Sequence, residues 1–341
     1  MMFTPGRYVS RRALPWLALI VFCVSFPAGS VTAADKLTVG WSAVAGSQAP
    51  LWITKEAGLF SKYGIDAFLI YLDGGSKAAQ AMLAGDVPLA EVGGNASVVV
   101  HLKGGDLVLI MGLTNKLAYS LIVAPQIKRP EDLRGKKLTV SRFGSNSDYA
   151  TRKILLKWGL QPDKDVAIIQ LPGGQPTRLG ALQAGQVSGL VAQPPVTAMA
   201  RKLGLPILAG PEDFGTDYPT TPVAALGSFL REKPDVARRF VKAMVEGIHT
   251  YKTNKGFSIQ VISKYMRVKD QEALEDSYAF FSNLVPEKPY PTVKGVAEAL
   301  EELGPKDPAA RSAKPEDFVD MRFVRELDES GFIDQLYRVR R

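Results

Sequence analysis

Apolar and polar residues alternate along Lys36-Leu37-Thr38-Val39-Gly40, and the pattern returns 101 positions later as Lys137-Leu138-Thr139-Val140-Ser141. Alternation at period two predicts a half-buried strand. Each copy runs into a helix-like stretch ending in Gly58-Leu59 or Gly159-Leu160, and then into a second strand. A Gly-Gly pair next opens another helix (Gly74-Gly75, Gly173-Gly174), which closes on Ala84-Gly85-Asp86-Val87 or Ala184-Gly185-Gln186-Val187. One unit is present twice, which predicts two similar α/β lobes facing one ligand.

In the first unit the pattern predicts strands at 37–39, 65–71, 89–92 and 107–113. Helices are expected between them, one with Pro50 in its first turn and others over 77–84 and 96–102. Strands alternating with helices imply a parallel, doubly wound sheet. The second unit repeats the scheme, with strands at 166–171, 188–192 and 205–208 and helices over 149–158 and from Pro176 onward. Residues 120–123 are read as crossing to the second lobe, and 210–222 as the return connection. From Pro234 the period changes to helical, with Val236, Phe240, Met244, Ile248 and Tyr251 on one face. Further helices are expected at 257–265, 271–284, 292–303 and 315–329, before a solvated end carrying Arg338, Arg340 and Arg341. The expected division is residues 35–118 plus 223–341 for the first lobe and 119–222 for the second.

Doubly wound sheets bind ligands beyond the carboxyl ends of their strands. In the first unit this points to the loops at 41–48, 74–77 and 93–96, each at a helix N-terminus whose unpaired N–H groups favour anions. The candidate residues there are Trp41, Ser42, Ser47, Gln48, Gly75, Ser76, Gly94 and Asn95, with Asn115 just past the fourth strand. In the second unit they are Arg142, Gly144, Ser145, Ser147, Gly174, Arg178 and Gln193. Ser145 with Asp148 three residues on has the spacing of a capping box. Arg142 and Arg178 are the two cations able to pair with a carboxylate, sulfonate or phosphonate. The alternatives are an ion pair across the lobe surface for Arg142 and a solvent-facing position for Arg178.

Composition narrows the picture. A chain of 341 residues, 46% hydrophobic and 22% charged, is large enough for about two domains. The first 34 residues have the form of a secretory signal: Arg7, Arg11 and Arg12, an apolar run over 14–24, and small residues leading to a cut after Ala34. Ser10-Arg11-Arg12 also has the look of a twin-arginine signal, so both export routes stay open. The expected location is the periplasm, without a lipid anchor, because no small residue precedes Cys23 at the required place. Cys23 is the only cysteine, so the exported chain has no thiol for a disulfide, a thiolate metal site or a nucleophile. Removing the three leader arginines from 42 leaves 39 Lys+Arg against 34 Asp+Glu, a net charge of +5. That modest excess points to small anions, not to nucleic acid.

Ala49-Pro50-Leu51-Trp52, Lys55-Glu56-Ala57-Gly58-Leu59-Phe60, Leu83-Ala84-Gly85-Asp86-Val87, Leu133-Arg134-Gly135-Lys136-Lys137 and Leu182-Gln183-Ala184-Gly185-Gln186-Val187 together resemble the nitrate/sulfonate/taurine group of ABC-importer solute-binding proteins. Asp317-Phe318-Val319-Asp320 and Ser330-Gly331-Phe332-Ile333-Asp334 extend the resemblance over nearly the whole exported chain. The resemblance implies an α/β, two-lobed type II periplasmic binding protein fold closing on a small solute. It also implies a membrane permease and its ATPase as partners, a monomer, and neither cofactor nor metal. The chain departs from the group's pattern at Ser188, where an acid is usual, and at Glu91, set in an otherwise apolar strand. Two enzymes share this fold group, a thiamine-pyrimidine synthase and a desulfinase, and as families both rely on cysteine. His101 and His249 lack metal-ligand spacing. An enzyme on the same fold and a sensory subunit are the competing expectations.

Overall fold

A computed structural model describes residues 1–4, 6, 33–215, 217–305 and 307–338. The expected signal segment lies almost wholly outside them, as do Arg340 and Arg341. From Ala34 onward the chain forms one compact unit containing two five-stranded sheets. The strands in chain order are β1 (Asp35–Trp41), β2 (Ile65–Tyr71), β3 (Leu89–Glu91), β4 (Leu107–Lys116), β5 (Ser120–Val123), β6 (Lys137–Val140), β7 (Ala167–Gln170), β8 (Gly189–Ala192), β9 (Ile207–Ala209) and β10 (Asp217–Leu226).

The first sheet has the order β2-β1-β3-β10-β4 and the second β7-β6-β8-β5-β9. In each, four strands share a direction and the strand next to the edge opposes them: β10 in the first, β5 in the second. Both opposing strands enter just after the chain has crossed between sheets. Residues 120–123, read as a crossover, are thus a sheet strand. The return strand starts at Asp217, earlier than expected, because Tyr218, Thr220 and Thr221 are buried alongside Val223 and Ala225.

The duplication holds, but its register differs from the sequence offset. The N–H of Leu72 bonds the Trp41 carbonyl at 2.9 Å, and in the second sheet the N–H of Leu171 bonds the Val140 carbonyl at 2.8 Å. Trp41 therefore matches Val140, an offset of 99, two residues away from the Lys-Leu-Thr-Val match. A slip of two leaves every side chain on its original face. The look-alike pentapeptides satisfy the same burial pattern without being structurally equivalent.

Helices cover both faces. The helix Ala49–Glu56, with Pro50 in its first turn, packs on Pro234–Thr253, whose Val236, Phe240, Met244, Ile248 and Tyr251 are all buried as the helical period requires. One apolar core lies on this side of the first sheet around Trp52, Phe60, Phe240 and Phe281. A second runs from the other face of that sheet through the second sheet. The expected helix over 315–329 is a short 3-10 turn, Pro315–Phe318, followed by Arg322–Glu329. Among the described residues no helix is long and apolar enough to cross a membrane.

Candidate functional site

Four helices of nine residues or more begin at the space between the sheets: Gly75–Leu83, Gly94–Leu102, Asn146–Lys157 and Gly174–Gln183. Their unpaired N–H groups and dipoles make that space attractive to negative charge. Gly74 and Gly173 precede two of these helices at φ of 88° and 103°, a backbone region costly for residues with a Cβ. A cavity of about 40 Å³ lies there, lined from the first-sheet side by Ser42, Ala43, Val44, Tyr71, Asp73, Gly74, Gly75 and Gly93. From the second-sheet side it is lined by Tyr119, Ser141, Ser145, Asn146, Ser147, Gly174, Gln175 and Arg178.

Arg178 dominates the cavity's electrostatics. It is 4% exposed, its Nη1 donates to the Leu171 carbonyl at 3.2 Å, and its Nε has no hydrogen-bond partner. Burial pulls its pKa below the ordinary arginine value, while Asp73, Tyr71 and Tyr119 act the other way. A guanidinium stays charged near neutrality, so this is a buried cation short of a partner. Tyr119 is pushed up to about 12, by burial first, and so presents a neutral hydroxyl. Ser141, Ser145 and Ser147 form a hydroxyl cluster with Oγ–Oγ distances of 2.9, 3.0 and 2.9 Å. Cation, hydroxyls and helix ends together suit a small anion.

Of the residues singled out from the sequence, Ser42, Gly75, Ser145, Ser147, Gly174 and Arg178 line the cavity. The others do not line it. Gln48 accepts from the Ser42 N–H at 3.1 Å, and Ser47 Oγ donates to Gln193 Oε1 at 3.3 Å. Gln193 in turn donates to the Ala118 carbonyl. Trp41 packs its ring 4.5 Å from that of Tyr71. Gly94 abuts Pro219, and Asn115 donates to the Tyr290 carbonyl at 3.0 Å.

Arg142, Ser76, Asn95 and Gly144 tie the two sheets' lobes together. Arg142 Nε donates to the Asp73 carbonyl at 2.8 Å, and its Nη2 lies 3.9 Å from Asp73 Oδ2, so of its two expected roles it occupies the bridge across the lobes. Ser76 Oγ donates to the Phe143 carbonyl and Asn95 Nδ2 to the Gly144 carbonyl. Asn146 joins this set, donating to the Thr220 carbonyl at 2.6 Å. The Ser145 cap is present, its Oγ accepting from the Asp148 N–H at 3.5 Å, while Asp148 reaches back to the Gly144 N–H instead of closing a strict box. His101 is a helix-face residue, as expected, with Nδ1 2.8 Å from the Leu107 carbonyl. Among the described residues no group of three or more His, Cys, Asp or Glu is arranged to hold a metal ion.

Tyr71, Asp73, Asn146 and Gln175 escaped the sequence reading. Asp73 accepts from Tyr71 OH at 2.8 Å and from the Gly173 N–H at 3.1 Å, which makes it a contact point for both lobes. Its place directly before Gly74-Gly75 was the available signal. The site is also asymmetric between the repeats. Counted from the Gly-Gly pairs, the first-unit counterpart of Arg178 is Ala79, and counted back from the closing Ala-Gly pairs it is Ala78; both are fully buried.

A family model described as "NMT1-like family" matches residues 32–263. The taurine-binding periplasmic protein of Escherichia coli (strain K12) is 29% identical over 186 residues, 53% of this chain and 56% of that relative. The chain thus aligns with just over half of that relative's length. A solved structure from Bordetella bronchiseptica RB50 superposes with a TM-score of 0.77 at 22% identity, covering 87% of this chain and 98% of the other. The periplasmic aliphatic sulphonate binding protein of E. coli superposes with a TM-score of 0.65 at 17% identity, covering 84% and 97%. At these identities the likeness is one of fold, and that fold is the periplasmic binding protein fold.

Proposed function

Because the chain belongs to the NMT1-like family, we propose that it is the extracytoplasmic solute-binding subunit of an ABC importer. It captures a small anionic solute of the sulfonate, taurine or nitrate class between its lobes and delivers it to a membrane permease in the periplasm. The observation that carries this reading is Arg178, a buried cation with an unpartnered Nε facing a polar cavity. An anion arriving there supplies the acceptor that Arg178 Nε lacks, and lobe contacts such as Arg142 to Asp73 stand at its edge. The hydroxyl cluster and the helix ends complete the shell of donors. Capture without turnover fits a cavity built from donors, with Asp73 committed to hydrogen bonds as its acid.

Isothermal calorimetry of the exported chain against nitrate, taurine, alkanesulfonates and carboxylates tests the proposal. The expected outcome is saturable binding of at least one anion, weakened about 100-fold by Arg178→Met through loss of a charge-assisted pair. Absence of binding across the panel, or full affinity in Arg178→Met, overturns it.

A further inference from the structure

Next to the inner cavity, and sharing Val44 and Tyr71 with it, lies a larger chamber of about 660 Å³. Its wall is largely apolar and aromatic: Trp41, Tyr71, Pro176, Tyr265 and Met266. The Trp41 ring packs on Tyr71 at 4.5 Å and edge-on to Tyr265 at 6.1 Å, and Tyr265 stacks on Trp52 at 4.9 Å, so the aromatic wall is held rigidly from behind. Lys264 and Arg267 stand on the same wall, and both are exposed.

The two volumes have different capacities. At roughly 10–15 Å³ per water, the inner cavity has room for about three waters, the size of an anionic head and little more. Any solute with a substantial body must extend elsewhere. The partition on that route is thin: a Cβ built on Gly174 would lie 3.1 Å from Val44 Cβ, so a valine side chain and a bare glycine backbone are what separate the chambers. Resting on the proposed function, we propose that the outer chamber is a tail subsite, and that the preferred solute is an anion carrying an uncharged aromatic group. The aromatic walls favour such a tail, and Glu56 pairs with Lys264 at 2.7 Å and accepts from Tyr265 OH, which leaves Arg267 as the unbalanced charge on this wall.

Calorimetry on the exported chain with methanesulfonate, hexanesulfonate, benzenesulfonate, naphthalene-2-sulfonate and 3-aminopropanesulfonate tests this, with acetate, hexanoate and benzoate as the carboxylate counterparts. The expected result is aryl binding on the order of 10-fold tighter than methyl for one head group, and tighter than the ammonium-tailed compound. Thr177→Trp, at an exposed position on the outer chamber's wall, should erase the aryl advantage, read as the aryl-to-methyl affinity ratio. Tyr265→Ala should reduce that advantage independently, and circular dichroism reports whether each variant folds. Equal affinity for methyl and aryl compounds, or tightest binding of the ammonium-tailed one, overturns the tail subsite and leaves anion capture standing. Failure of every anion to bind overturns both.

Discussion

At the scale of single residues, Glu91 shows how the sequence marks a position without explaining it. It ends β3 at 1% exposure, and neither carboxylate oxygen makes a hydrogen bond of good geometry, the Leu51 N–H being only a weak donor to it. Burial raises its pKa well above the ordinary value of 4.5, against a weaker pull from the Leu51 N–H. The folded protein therefore keeps a proton that the unfolded chain releases above about pH 4.5, so this residue's contribution to stability falls as pH rises from there toward the folded pKa. Glu91→Gln should raise the melting temperature by at least about 2 °C at pH 8, with the gain vanishing near pH 4.5, in paired thermal melts. A pH-independent difference would assign the effect to packing. The acid stands out in the sequence because its neighbours are apolar, but its lack of a well-placed partner is a tertiary fact. Arg178 is similar: its spacing from Gly173-Gly174 was readable, while its burial depends on how its helix meets the second sheet. Asp73 carried only the signal of its place before Gly74-Gly75, because its partners Arg142 and Gly173 lie far along the chain.

At the scale of elements, hydrophobic period located eight of the ten described strands and the longer helices, and the helix expected over 271–284 matches Gln271–Leu284. It did not reveal β5, most of β10 or short helices such as Val196–Lys202 and Phe332–Arg338. The pattern also missed register. Period two is blind to a slip of two residues, so the repeated pentapeptide suggested an offset of 101 where the ladder has 99. The joints between elements are more exacting than the elements. A Cβ added at Gly94, the start of the helix Gly94–Leu102, would meet the Pro219 carbonyl oxygen at 2.3 Å, whereas one added at Gly180, inside the helix Gly174–Gln183, would meet nothing within 4 Å. Urea unfolding should show Gly94→Ala losing roughly 2–4 kcal/mol and Gly180→Ala gaining about 0.5–1 kcal/mol. The reverse order would mean that the chain relaxes around Pro219.

At the scale of the molecule, the lobes meet through polar contacts: Arg142 with Asp73 and Asn146 with Thr220 beside the cavity, and the ion pairs Lys202 with Asp270 and Lys153 with Glu302 elsewhere. The contacts of Arg142 with Asp73 fit a role in holding the lobes together, and we propose that role for it in place of charge recognition. Arg142→Ala should therefore weaken solute binding by less than about 10-fold while preserving the salt dependence of affinity, which Arg178→Met should abolish; calorimetry at low and high ionic strength separates the two. Loss of salt dependence in Arg142→Ala would return it to the recognition role. The duplicated architecture was legible in the sequence, but the inequality of its halves was only partly so. Arg178 faces the cavity from the second sheet, and its counterparts in the first repeat are the buried alanines Ala78 and Ala79. On the proposed function, loading is expected to be a sequence of events with a fixed direction. An anion engages the arginine half at a rate set by its charge, and the alanine half arrives afterwards to set how long it stays. Arrival reads charge and residence reads shape, so competing solutes of equal charge are sorted by their dwell times.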